Sequence, residues 1–144
     1  MTTAEIITIG TELLLGEIQD TNKTYLARQL RQLGVDLFRT TTVGDNPLRI
    51  ADAIQESFTR ADIVITTGGL GPTIDDPTRN AVAIAFKAEM EFHADLWDSI
   101  INRFLVRGIT PTENNRKQAY LPACAIGIEN PVGTAPAFIV QLDD

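Results

Sequence analysis

Residues 66 to 80 read TTGGLGPTIDDPTRN, directly after the apolar run Ile63-Val64-Ile65. Gly68, Gly69 and Gly71 permit backbone angles and a close approach that side chains would forbid. A helix opening near Asp76 would point its free N–H groups back toward that loop, a combination that suits phosphate. The spacing is Gly-Gly-x-Gly, so it is neither a Walker P-loop nor the Rossmann fingerprint. Two carboxylates, Asp75 and Asp76, beside a bound phosphate would repel it, most steeply in a low-dielectric cleft. A divalent cation resolves the conflict, since Mg²⁺ is commonly held by one or two carboxylates together with substrate phosphate oxygens. Asp76 also has a structural reading, because aspartate before proline is an ordinary helix N-cap.

Two further loops share the character of a strand's end. GTELLLGEIQDTN supplies Gly10, Thr11, Glu12, Gly16, Asp20 and Asn22, and Gly44-Asp45 again pairs a small residue with a carboxylate. Each alone reads as turn chemistry. Together they suggest a crevice at the carboxyl ends of parallel strands, where open α/β sheets bind ligands. Arg116 and Lys117 read as a solvated face from which one cation could reach a phosphate. His93 reads as a surface residue beside a helix start, and Cys124 as a small buried hydrophobe.

The elements that would position these loops alternate. Glu5 to Ile9 is a strand ending at Gly10. A helix runs from the Asp20 or Thr21 cap, with Leu26, Leu30 and Leu33 on its apolar face, to a stop at Gly34. Val35 to Val43 is a second strand. Asn46-Pro47 opens a helix whose face carries Leu48, Ile50, Ala51, Ile54 and Phe58. Ile63 to Thr67 is a buried-type strand. The pattern predicts helices from Asp76-Pro77 to about Lys87 and from Ala94 to Arg107. After Gly108 it predicts a loop with a short helix around Asn115 to Tyr120. Strands Cys124 to Ile128 and Ala137 to Leu142 close the chain, joined by ENPVGTAP. This order implies an α/β fold, a mostly parallel sheet covered on both faces.

Composition sets the outer limits. The chain has 144 residues, 44% of them hydrophobic, enough for one soluble globular domain spanning 1–144. A net charge of -7 argues against nucleic acid as the partner. No apolar run approaches the roughly 20 residues of a membrane span. One histidine and one cysteine exclude a His/Cys zinc or iron-sulfur set. Neither Ser57 nor Ser99 sits in a nucleophile elbow. The single cysteine and the lack of a secretory signal make the cytoplasm the expected compartment. The ending Asp143-Asp144, straight after an apolar strand, reads as either a sheet edge, open to self-association, or a truncation at the C-terminal end.

GTELLLGEIQDTN, VGDN, TTGGLGPTIDDPTRNAVA, NNRKQAYLP and NPVGTAP, in that order, resemble the N-terminal domain of the CinA family of competence/damage-inducible proteins. That family lies in the molybdopterin-binding, MoaB/MogA-like superfamily, and the likeness covers about Ile6 to Phe138. It implies a three-layer α/β/α fold and a metal-dependent pyrophosphatase (hydrolase) acting on ADP-ribose, giving AMP and ribose 5-phosphate, with Mg²⁺, Mn²⁺ or Co²⁺. Under it, Thr67, Gly68, Gly69, Leu70 and Gly71 cradle phosphate. Asp45 and Asp75 are catalytic, and with Asp76 they serve the metal. Gly10, Thr11, Glu12, Asn22, Lys117, Gly133 and Thr134 line the site. Two alternatives stay open: a module that holds molybdopterin or a nucleotide without turnover, and nucleotidyl transfer in molybdenum cofactor biosynthesis. The family's closing NPxGTAPG is NPVGTAPA here, with Ala137 in place of the last glycine. Full-length relatives continue, often into a C-terminal amidohydrolase domain.

Overall fold

The computed structural model describes residues 1–73 and 76–142, in two compact units, Met1–Gly69 and Leu70–Asp144. The first is built on a parallel sheet. Strand β1 (Thr3–Ile9) lies between β2 (Asp36–Val43) and β3 (Ile63–Thr67), with Thr8 level with Thr42 on one side and Thr67 on the other. Ala4 through Ile9 are all buried, Glu5 and Thr8 included, so burial does not alternate, as a strand covered on both faces requires. That role was expected of Ile63 to Thr67. β3 is instead an edge of the three-stranded sheet and only half-buried, because β1 takes the central place.

Helices cover both faces. Ala4 and Ile6 pack against Leu30 and Leu26 of α2 (Thr21–Gln32), while Glu5, which points the opposite way, meets Ser57 of α3 (Pro47–Phe58). This is the three-layer α/β/α arrangement. Both helices start as their sequences dictate: Asp20 Oδ1 accepts from Lys23 N at 2.9 Å and Asn46 Oδ1 from Arg49 N at 3.1 Å. Leu33 and Leu48, assigned to apolar faces, are exposed at the helix ends. A one-turn helix, α1 (Thr11–Leu14), occupies what read as loop.

Glu5 carries a charge into this core. Its carboxylate, fully buried, receives Ser57 Oγ at 2.8 Å and the guanidinium of Arg60 through Nε and, at 3.1 Å, NH2. Burial alone would raise its pKa, but the hydrogen bonds from Arg60 and Ser57 and the charge of Arg60 bring it below the usual glutamate range.

The second unit holds α4 (Thr78–Ala85), β4 (Met90–Phe92), α5 (Ala94–Val106) and α6 (Glu113–Arg116), which runs into a 3₁₀ turn over Lys117–Ala119. β5 (Tyr120–Pro122) pairs antiparallel with β4, and β6 (Ala125–Ile128) with β7 (Ala137–Val140). Leu96, Ile100, Ala119, Leu121 and Ala125 form its core, with Trp97, Phe104, Phe138 and Val140 packed against them. The β4–β5 ribbon was not foreseen: strands this short carry too little pattern to stand out. Cys124 is exposed rather than buried, since it falls in the turn before β6. His93 does flank the start of α5 but is half-buried.

Candidate functional site

Because the three strands of the first unit run parallel, their following loops emerge at one edge. The junctions β1–Gly10, β2–Gly44 and β3–Gly68 are tied together by backbone. Gly10 N donates to Val43 O at 2.9 Å, and a Cβ on Gly68 would lie 2.1 Å from Ile9 O. With its φ of 99° as well, position 68 admits only glycine. Thr67 is the last residue of β3, half-buried, and Gly69 follows Gly68.

Asp45 and Thr11 clasp each other there. Thr11 N donates to Asp45 Oδ2 and Asp45 N donates to Thr11 Oγ1, both at 3.1 Å. The Asp45 carboxylate is exposed and its direction is fixed by the start of α1. The Glu12 carboxylate folds back over Gly10, within 3.1 Å of where a Cβ would stand. Asn22 is exposed in the first turn of α2.

In the second unit Asp76 takes a role other than the expected cap. Its Oδ2 accepts from Thr73 N at 2.8 Å and Thr73 Oγ1 at 2.6 Å, closing a turn that looks back along the loop. α4 starts two residues later, with Pro77 at its N-cap position. Gly71 permits this: a Cβ there would sit 2.5 Å from Asp76 Oδ2. Asp75 lies outside the described residues, so its expected catalytic and metal roles keep only their sequence basis. Among the described residues no three His, Cys, Asp or Glu side chains cluster as a metal site.

Arg79 was missed. It lies in the first turn of α4, is 5% exposed, and donates from NH1 to Leu70 O at 2.7 Å and from NH2 to Gly71 O at 2.9 Å. Burial pulls its pKa below the usual arginine range, against the opposing charge of Asp76. A cation at a helix N-terminus is disfavoured by the dipole. An arginine placed there, right behind a glycine loop, was the readable signal.

Arg79, Asp76, Thr73, Asn80, Lys117, Met90 and Tyr120 line a cleft of about 430 Å³ within this unit. Of the neighbouring cations, Lys117 faces the cleft, whereas the Arg116 guanidinium stands 4.7 Å over the Phe92 ring. Gly133 and Thr134 lie elsewhere, along a narrow crevice beside α5. The Asn130 side chain organises their loop, accepting from Val132 N and Gly133 N at 3.0 Å each and donating to Ala135 O at 2.9 Å.

The sequence matches, over residues 5–143, the family described as "Probable molybdopterin binding domain". It is 49% identical over 138 residues to a competence-damage inducible protein of Alkaliphilus oremlandii, covering 96% of this chain and 33% of that protein. The chain thus spans about a third of the length of the curated relatives it matches. Among solved structures, the protein CinA with unknown function from Thermoplasma acidophilum superposes with a TM-score of 0.89 at 32% identity, over 98% of this chain and 82% of that one. The molybdopterin biosynthesis enzyme MoaB of Thermus thermophilus aligns with a TM-score of 0.55 at 26% identity, over 58% of this chain and 54% of that one. The fold and the sequence define a molybdopterin-binding-type α/β domain of the MoaB/MogA kind. Within that class the chain belongs to the CinA family of competence-damage inducible proteins.

Proposed function

We propose that the cleft beside α4 binds the phosphates of a nucleotide or pterin, and that the chain hydrolyses a diphosphate of the ADP-ribose type to AMP and ribose 5-phosphate. The observation that carries this reading is the joining of Arg79 and Lys117 with Asp76 in one cleft. Two cations match a diphosphate, and Thr73 and Asn80 add neutral donors for its oxygens. The carboxylate would otherwise repel such a ligand. Asp76, with Asp75 before it, offers hard oxygen donors of the kind Mg²⁺ or Mn²⁺ accepts, so the residues present fit a divalent cation. When bound, that cation supplies charge neutralisation of the diphosphate.

The protein's own contribution is positional. Arg79 holds the carbonyls of Leu70 and Gly71 and so fixes the loop from which backbone N–H groups meet phosphate. The two bonds from Thr73 fix the Asp76 carboxylate. Water adds across the P–O–P bridge, each phosphorus leaving with an oxygen, and the proton lost by the water passes to a carboxylate.

The family match favours a second reading, retention of a molybdopterin phosphate without turnover. Phosphorus NMR of ADP-ribose with the chain and Mg²⁺, Mn²⁺ or Co²⁺ separates the two. Metal-dependent AMP that disappears in Asp76→Asn and Asp75→Ala supports hydrolysis. An unchanged spectrum with every metal rejects it and leaves the binding module.

A further inference from the structure

The cleft has a second end that phosphate chemistry does not explain. In the β4–β5 ribbon, Phe92 stands across from Tyr120 and Met90 across from Pro122, so these four share one face. Glu91 and Leu121 take the other, and Leu121 is fully buried in the core. Tyr120 and Met90, half-buried on the face opposite Leu121, are the apolar lining of the cleft whose polar lining includes Arg79, Lys117 and Asp76.

Tyr120 is also braced. Phe92 supports its ring at a centroid distance of 5.3 Å and an interplanar angle of 53°, and the Arg116 guanidinium lies over Phe92 in turn. Among the described residues, Arg116 Nε is buried without a hydrogen-bond partner, and its guanidinium lies against the aromatic wall. A braced ring and a thioether lining the same cleft as two cations match a planar heterocycle joined to phosphate. The volume suits a mononucleotide, within the roughly 300–1,000 Å³ of small-molecule sites.

We propose that Tyr120 and Met90 form a ring-stacking subsite, so that the cleft takes a phosphorylated heteroaromatic ligand and selects it over a sugar phosphate lacking the ring. This rests on the phosphate-binding reading of the same cleft. AMP and ribose 5-phosphate are the probes, because they share the phosphoribose and differ in the base.

Calorimetric titration of the chain is expected to show AMP binding about tenfold or more tighter than ribose 5-phosphate. Tyr120→Leu keeps apolar bulk but removes the π face. It should bring AMP down to the affinity of ribose 5-phosphate and leave the latter unchanged, while Tyr120→Phe retains the preference. Arg79→Gln should weaken both probes alike. In the unaltered protein, magnetisation transferred from the Met90 methyl should reach adenine H2 and H8, a readout that needs no variant to fold. Equal affinity for the two probes, an AMP preference that survives Tyr120→Leu, or absent transfer from Met90 overturns the subsite and leaves the phosphate reading standing. Failure of both probes to bind the unaltered protein overturns the two together.

Discussion

Glycines 68 and 71 belong to one loop and have different neighbours, so the same alanine substitution should act on different properties. At Gly68 the added Cβ meets the Ile9 carbonyl of the central strand, at a positive φ. Backbone cannot step aside, and Gly68→Ala is expected to cost more than about 2 kcal/mol in urea unfolding. At Gly71 the obstacle is the Asp76 carboxylate, which can swing away. Gly71→Ala should therefore keep nearly the full unfolding free energy while disconnecting Asp76 from Thr73. Its signature would be a loss of metal-dependent AMP formation with an unchanged urea midpoint. A Gly71→Ala protein that is as active as the parent would show that the position of Asp76 does not matter. Arg79 gives a third residue-scale case. Arg79→Lys keeps a charge, but a single ammonium cannot reproduce the forked contact to two carbonyls. The expected result is weaker phosphate binding by about tenfold, with only partial recovery relative to Arg79→Gln.

The scale of elements is where β1 and α3 join through Glu5, Ser57 and Arg60. The Glu5 carboxyl is held below its usual range, so in the unfolded chain it takes up a proton at higher pH than in the folded one. Its contribution to stability is fully present above the ordinary glutamate range, roughly pH 4 to 5, and is lost as pH falls through the folded value. The urea midpoint should decline over that acid window, and Glu5→Gln should start lower and flatten the decline. A Glu5→Gln protein with the parental pH profile would remove the pair from the account. The same elements show what was legible. Caps at Asp20 and Asn46, the proline at position 47 and the long periodic helices could be read, because local chemistry decides them. The sequence could not rank β1 above β3 as the buried strand, since both are short β-branched runs and the choice depends on which partners flank each. The start of α4 was misplaced for a related reason. Asp76 could close a turn with Thr73 or cap the helix, and the close approach allowed by Gly71 decides for the turn. The glycine loop was thus readable as a loop, whereas Arg79, Met90 and Tyr120 converge only once α4 and the β4–β5 ribbon are folded.

For the molecule as a whole, charge and exposed apolar surface act together. At neutral pH the chain carries -7, and that charge opposes the approach of two copies. That protection matters because Leu14, Leu15 and Ile18 stand exposed in the first unit. In the second, Ile126 and Ile139 face each other across the outer side of the β6–β7 ribbon, also exposed. Net charge vanishes near pH 4.6, close to where the Glu5 pair begins to weaken. Two effects with one pH dependence can be separated by reversibility. Loss of repulsion alone should produce light scattering that peaks near pH 4.6 and clears again at lower pH, when the chain becomes cationic. If opening of the Glu5 pair contributes, scattering should instead persist below the peak, and far-UV dichroism should change with it. Replacing Ile126 and Ile139 with threonine should lower the peak in either case, as both residues are exposed and threonine suits a strand. An unchanged peak in that double variant would show that the ribbon face takes no part in association.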